Sequence, residues 1–194
     1  MKNFSKQHGF SLVEVLVAIT LLLLIVTGPM KIITDANHST AFASEQVTAF
    51  FLAQEGLELA QKGRDDLMLQ YFDKQFNNNG NMVNPWAKFQ TNFRLCIGKN
   101  CGLTIKNNGT GVDIKNCVNL ANCRLYLDSS PSRSSYVHTN AGGNKLTLFT
   151  RTIQMFPAGN EIKVVSTVTW RTGSLIAGQK VELITYLENV YDTN

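Results

Sequence analysis

A long apolar run near the N-terminus constrains this chain more than any other feature of its sequence. The run extends from Phe10 to Met30, contains no cation, and follows a short segment that carries Lys2 and Lys6. A helix of ~20 apolar residues is long enough to cross a bilayer. We therefore predict a leader at residues 1–9 and a membrane-spanning segment at residues 10–33.

One carboxylate interrupts the run. Glu14 lies near its beginning, where the neighbouring residues are apolar. A charged side chain within a membrane helix costs about 3 kcal/mol or more. A simple anchor needs no such residue, and the run offers no cation before Lys31. We therefore expect the partner of Glu14 to come from another molecule.

The junction between Gly9 and Phe10, with Glu14 four residues further on, resembles the type III signal of type IV prepilins and type II secretion pseudopilins. The resemblance implies that a prepilin peptidase cleaves after Gly9 and N-methylates Phe10, the new terminal residue. It also implies that Glu14 serves assembly by facing the terminal amine of Phe10 on a neighbouring subunit. The length of the chain beyond the helix is similar to that of minor pilins. This implies a structural subunit that joins other pilin subunits and the assembly machinery in a pilus or pseudopilus.

Other interpretations stay open at this point. The same signal occurs in pseudopilins of secretion and competence systems, and a membrane-anchored binding domain or adhesin need not polymerise at all. A cleaved secretory signal could use Ala41-Phe42-Ala43. However, the apolar run exceeds the ~7–15 residues of a signal-peptide core and ends well before that site.

The cations around the run predict the membrane topology. Lys2 and Lys6 precede it, so the positive-inside rule places the N-terminus in the cytoplasm. The chain is then a single-pass protein of the cell membrane with an extracytoplasmic C-terminal domain.

Charge and motifs argue against several functional classes. The net charge of +4 is small and the cations are scattered, so there is no strong nucleic-acid signal. The sequence shows no Ser/His/Asp order and no glycine-rich phosphate loop. His38 and His138 are isolated, and we expect both to be solvated. We therefore predict a non-enzyme without cofactor, metal site or catalytic residues.

Four cysteines follow the helix: Cys96, Cys101, Cys117 and Cys123. Outside the cytoplasm an even set is typical of disulfides, and four cysteines allow three pairings. The spacings C-x4-C and C-x5-C differ from the C-x2-C pairs of structural zinc sites. We expect two disulfides between sequence neighbours, Cys96 with Cys101 and Cys117 with Cys123.

The membrane helix is expected to continue past Gly28-Pro29 as an amphipathic half, residues 34–75. Proline inside a helix removes one hydrogen bond, so a kink or an end at this point is the alternative. Apolar residues nevertheless recur at helical spacing beyond it. The expected core face comprises Ala36, Ala43, Val47, Phe50, Leu57 and Ala60. Gly56 and Gly63 are expected to weaken this helix by about 1 kcal/mol each.

Residues 76–194 are predicted to form a β-rich globular domain. Three strands are clearest, Lys145–Met155, Glu161–Arg171 and Gln179–Tyr191, and their short connections require antiparallel pairing. Weaker strands are expected at Phe89–Ile97, Leu103–Ile105 and Arg124–Leu127, with loops at Asn77–Asn81 and Asp128–Asn144. The predicted fold class is α+β: a long N-terminal helix packed on a C-terminal antiparallel β-sheet, as in pilins.

Overall fold

The computed structural model describes residues 9, 11–72, 84–106, 109–130, 133–172 and 178–190. It confirms a long apolar N-terminal helix followed by an antiparallel sheet. The helices are α1 (Leu12–Phe72), α2 (Pro85–Asn92) and a 3-10 turn (Leu120–Cys123). The strands are β1 (Cys101–Ile105), β2 (Val112–Asn116), β3 (Arg124–Ser130), β4 (Arg133–Val137), β5 (Lys145–Ala158), β6 (Glu161–Trp170) and β7 (Gln179–Glu188).

Helix α1 is continuous over 61 residues and contains Pro29 in its interior. The prediction that the helix passes this proline is therefore confirmed. The predicted loop at Asn77–Asn81 and the last residues of the predicted helix lie outside the described residues. The chain divides into two compact units, Met1–Ser44 and Glu45–Asn194.

The long strand β5 organises the sheet. One edge of β5 pairs with β6, which in turn pairs with β7. The other edge pairs with β3 near the start of the strand and with β1 at Ile153. The hairpin partners β2 and β4 complete the seven strands of the described residues, whose strand pairs are all antiparallel.

The second unit has its core between α1 and the inner face of the sheet. Alternate residues of β6 are buried on this face: Ile162, Val164, Ser166, Val168 and Trp170. The helix contributes Ala49, Leu52, Ala53, Leu59, Ala60 and Met68. Burying one large apolar side chain contributes roughly 1.5–3 kcal/mol, so this interface holds the helix on the sheet.

The predicted core face of α1 was right at Ala60, which is buried, and at Leu57, which packs against the core, and wrong at the other four positions. Val47 and Phe50 are 56% and 46% exposed, and Ala36 and Ala43 are also exposed. The buried stripe instead runs through Ala49, Leu52, Ala53, Gly56, Leu59, Ala60 and Gly63. Both sets recur at helical spacing, so periodicity alone could not choose between them.

The two glycines of α1 permit close packing. A Cβ on Gly56 would lie 2.5 Å from Ser166 Oγ and 2.7 Å from Ile153 Cδ1. A Cβ on Gly63 would overlap the ring of Phe93. The helix-propensity cost of Gly56 is therefore linked to a close contact with the sheet, and that of Gly63 to a close contact with the end of α2.

The predicted strand at Phe89–Ile97 was also wrong. Residues 85–92 form α2, and Asn84 caps it by accepting a hydrogen bond from the Ala87 amide at 3.1 Å. Phe89 and Phe93 are both buried, with ring centroids 4.6 Å apart. Their spacing of four residues is helical, and the Asn84-Pro85 pair is a helix-start signal that our prediction did not use.

The predicted loop at Asp128–Asn144 contains regular structure as well. Strand β3 continues to Ser130, and Arg133–Val137 forms β4, which pairs with β3 in a hairpin. The serine-rich composition of this segment favoured a loop, so these strands were not predicted. Strands at Leu103–Ile105, at Arg124–Leu127 and in the last third of the chain are present as predicted.

Candidate functional site

The N-terminal segment is the first candidate site. Helix α1 begins at Leu12, and Glu14 lies in its first turn. A carboxylate there complements the partial positive charge of the helix N-terminus. Among the described residues, no cation pairs with Glu14. Gly9 is exposed, whereas Phe10 and the leader residues 1–8 lie outside the described residues.

The two threonines of the apolar segment are satisfied within the helix. The Thr20 hydroxyl donates to the Val17 carbonyl at 2.8 Å, and the Thr27 hydroxyl donates to the Leu23 carbonyl at 2.9 Å. Such internal bonds allow threonine to lie in hydrocarbon. Glu14 has no comparable bond to a described group. It is therefore the side chain of this segment that calls for an external partner.

The first half of α1 has the properties of a membrane span. The described helix contains a window of mean hydropathy 2.4, and none of that window is buried within the chain. A helix that is apolar on all sides is stable only in a core or in a membrane. This segment is therefore suited to membrane association.

The cysteines lie in two neighbouring pairs. The Cα atoms are 5.0 Å apart for Cys96 and Cys101, and 5.6 Å apart for Cys117 and Cys123. Both separations fall within the range of disulfides, and all four residues are buried. The first pair connects the turn after α2 to β1, and the second closes the segment before β3.

Arg151 is a buried cation that the sequence analysis did not identify. It is fully buried on the inner face of β5. Its guanidinium donates to the Leu52 carbonyl at 3.0 Å, to the Leu103 carbonyl at 2.9 Å and to Glu55 Oε2 at 2.6 Å. One side chain thus connects α1, β1 and β5. Its position in the strand was the signal in the sequence. Arg151 lies two residues from Phe149 and from Ile153, so it faces the same inner side of the sheet.

His138 is buried, not solvated as we predicted. It is only 2% exposed, and its ring lies against Gly102, where a Cβ would come within 2.7 Å of Nε2. The ring Nδ1 lies 3.3 Å from the Arg124 carbonyl. Burial, together with the charges of Arg151 and Lys115, lowers the pKa of His138 to about 4. It is therefore neutral at pH 7 and has a structural role.

The described part of the chain holds no group of three His, Cys, Asp or Glu residues placed to bind a metal ion. Arg151 and Glu55 are occupied with backbone carbonyls and with each other. Their contacts are those of a structural link between the helix and the sheet.

The apolar first half of α1, the carboxylate of Glu14 within it and the sheet domain together define a class: a membrane-associated protein with a β-rich domain. Comparison with known families identifies the signal. Residues 4–28 match the prokaryotic N-terminal methylation motif, which is the type IV pilin and pseudopilin signal. Neither the curated proteins nor the solved structures give a match to this chain. The motif supports a pilin- or pseudopilin-type precursor, and it points to a structural subunit.

Proposed function

We propose that this chain is a minor pilin-like structural subunit with no enzymatic activity. A prepilin peptidase cleaves it after Gly9 and N-methylates Phe10. The mature subunit stays in the cell membrane through α1, with its C-terminal domain outside the cytoplasm, and then enters a filament with other pilin subunits. The single observation that carries this proposal is the methylation motif at residues 4–28.

Glu14 supports assembly over simple anchoring. Its carboxylate lies among exposed apolar side chains, and no described group of the chain neutralises it. An unpaired charge in an apolar setting is strongly unfavourable, whereas a pair is tolerated. The terminal amine that cleavage creates on a neighbouring subunit would supply that pair.

The size of the sheet domain supports a minor role. In the part of the chain that the structure describes, seven strands and two cysteine pairs follow the helix, with loops between them. A bulky domain of this kind is difficult to repeat in every position of a lattice. A minor subunit would prime assembly or occupy the tip.

Processing is tested by the intact mass of the protein isolated from its native host. We expect a mature N-terminus at methylated Phe10. Gly9→Val should leave the precursor uncut because the peptidase requires a small residue, and Gly9→Ala is the matched control that should still be cut. An N-terminus at Met1 or at Ser44 would refute the proposal.

Assembly is tested by the stoichiometry of sheared, purified filaments. We expect the wild-type chain at a small fraction of the bulk subunit, and Glu14→Ala to abolish its incorporation. Glu58→Ala, which removes an exposed carboxylate of the same helix, should have no effect. A dominant amount of this chain would contradict the minor role alone. Absence from filaments and from assembly complexes would instead favour an anchored binding domain.

We further propose that both cysteine pairs are disulfides formed outside the cytoplasm. Mass spectrometry of the alkylated, non-reduced protein should detect no labelled cysteine. Labelling of Cys96 and Cys101 together with Cys117 and Cys123 before reduction would contradict both the bonds and the predicted topology.

A further inference from the structure

Strand β5 extends beyond its partner β6. The ladder between them runs from the pair Ala158–Glu161 to the pair Thr150–Thr169. The first five residues of β5, 145–149, therefore lie beyond the last residue pair of this ladder. Within the described ranges, no strand pairs with the edge of this extension that faces away from β3.

A β-bulge shapes the same extension. The register between β3 and β5 changes from Arg124 opposite Thr150 to Tyr126 opposite Leu146. Three residues of β5 thus face Leu125, and the Thr147 hydroxyl donates to the Leu125 carbonyl at 2.7 Å. Leu148 lies within the bulge on the outer face of β5, as do Leu146 and Thr150, and it is 60% exposed.

A groove of about 450 Å³ results. Arg124 lies at its β3 side and Arg171 lies where β6 ends, with Leu146, Leu148, Thr150 and Thr169 among the lining residues. Both arginines are exposed, and neither has an ion-pair partner among the described residues. No described lining residue is acidic. The groove therefore combines two exposed guanidinium groups, hydroxyl groups and an apolar wall.

This combination suits a carboxylate attached to an apolar chain. Arginine binds carboxylates in a bidentate geometry, and the leucines would contact apolar side chains beside the carboxylate. An open strand edge provides backbone donors and acceptors to an extended peptide. Single-stranded nucleic acid fits less well, because bases need an exposed aromatic ring. The only aromatic residue among the described lining residues is Trp170, which is 4% exposed.

We propose that this groove binds an extended acidic peptide segment of a partner protein. The carboxylates pair with Arg124 and Arg171, and the peptide backbone extends the sheet along residues 145–149. The site belongs to the sheet domain and does not depend on cleavage after Gly9, so it goes beyond the assembly function.

The test measures binding of fluorescein-labelled peptides to the full chain in uncharged detergent micelles by fluorescence polarisation. The probe is the peptide Leu-Glu-Leu-Glu-Leu, and the matched control probe is Leu-Gln-Leu-Gln-Leu. We expect saturable binding of the acidic peptide only. Arg124→Gln and Arg171→Gln should each weaken it by about tenfold, and added salt should weaken it further.

Lys99→Gln is the matched control, because it removes an exposed cation that does not line the groove. Leu148→Ser should weaken binding without removing a charge. Near-UV circular dichroism of each variant confirms that the domain is folded. Equal binding of the two peptides, an equal loss with Lys99→Gln, or tighter binding of oligothymidylate than of the acidic peptide would overturn the proposal.

Discussion

The two halves of α1 have opposite surroundings. From Leu12 to Ala41 every side chain of the helix is exposed, although most are apolar. From Ala49 to Met68 one face is buried against the sheet. The helix is regular in both halves, so secondary structure does not account for the difference.

The difference shows which half depends on other molecules. The second half has an apolar stripe and finds its partner in the same chain. From Val15 to Met30 the first half carries no charged residue and is largely apolar on every side, which suits it to a membrane. A substitution in the second half should therefore change folding, whereas the same substitution in the first half should change membrane association or assembly.

The largest effect is expected at Arg151, where the second half is attached most specifically. Arg151→Met removes the hydrogen bonds to the Leu52 and Leu103 carbonyls and leaves Glu55 without its ion-pair partner, which should destabilise the domain by about 3 kcal/mol. Arg124→Met, at an exposed arginine, should change stability by less than about 0.5 kcal/mol. Chemical unfolding followed by near-UV circular dichroism measures both. Equal effects of the two substitutions would show that the contacts of Arg151 with α1 and β1 are not important for folding.

A pair of leucine substitutions compares the two halves directly. Leu52 is 3% exposed, and Leu52→Ala should cost about 3 kcal/mol because it leaves a cavity in the core. Leu22 is 63% exposed, and Leu22→Ala should leave the unfolding transition of the sheet domain unchanged. The same transition and the amount of each variant in filaments are the two readouts. Loss of domain stability in Leu22→Ala would contradict the proposed difference between the two halves of α1.

A pair of glycine substitutions compares the two halves of α1 in a second way. Gly56→Ala places a methyl group against Ser166 and Ile153. Overpacking costs about 1–3 kcal/mol and should exceed the gain of ~1 kcal/mol in helix propensity. Gly28 has no atom within 4 Å of an added Cβ, so Gly28→Ala should not destabilise the protein. Thermal unfolding of the two variants should give shifts that differ in sign or in size, and equal shifts would contradict the close contact.

The smallest effect concerns pH and is confined to the second unit. The pKa of His138 is lowered from 6.5 to about 4, so the unfolded chain binds this proton first as the pH falls. The stabilisation that neutral His138 gives to the folded domain is fully present above pH 6.5 and is lost as the pH falls toward 4. The domain should be about 1 kcal/mol less stable at pH 5.5 than at pH 7. Unfolding of wild type and His138→Gln at both pH values measures this, and an unchanged pH dependence in the variant would contradict it.

The sequence was most informative where a pattern depends on neighbouring residues. The signal around Gly9 and Glu14, the apolar run and the last three strands are such patterns, and each was predicted with the right type. The membrane segment needs only length and composition to be identified. The final strands combine β-branched residues with clear turns.

Long-range packing explains what the sequence did not reveal. Arg151 lies 99 residues from Leu52 in the chain, and no local pattern connects them. His138 is buried because β1 carries Gly102 beneath its ring. The groove between Arg124 and Arg171 depends on how β3, β5 and β6 pair and on where β6 ends. The error at α2 was different, because its capping signal was present in the sequence.

The separation between the helix and its partner strands also sets an order of events during synthesis. The stripe of α1 that contains Leu52 is made about a hundred residues before β5 supplies Arg151 and Ile153. At ~5–20 residues per second, that interval lasts on the order of 5–20 s. Throughout this time the apolar stripe has no sheet to cover it. A nascent chain of this design therefore needs protection from aggregation until its last third has emerged.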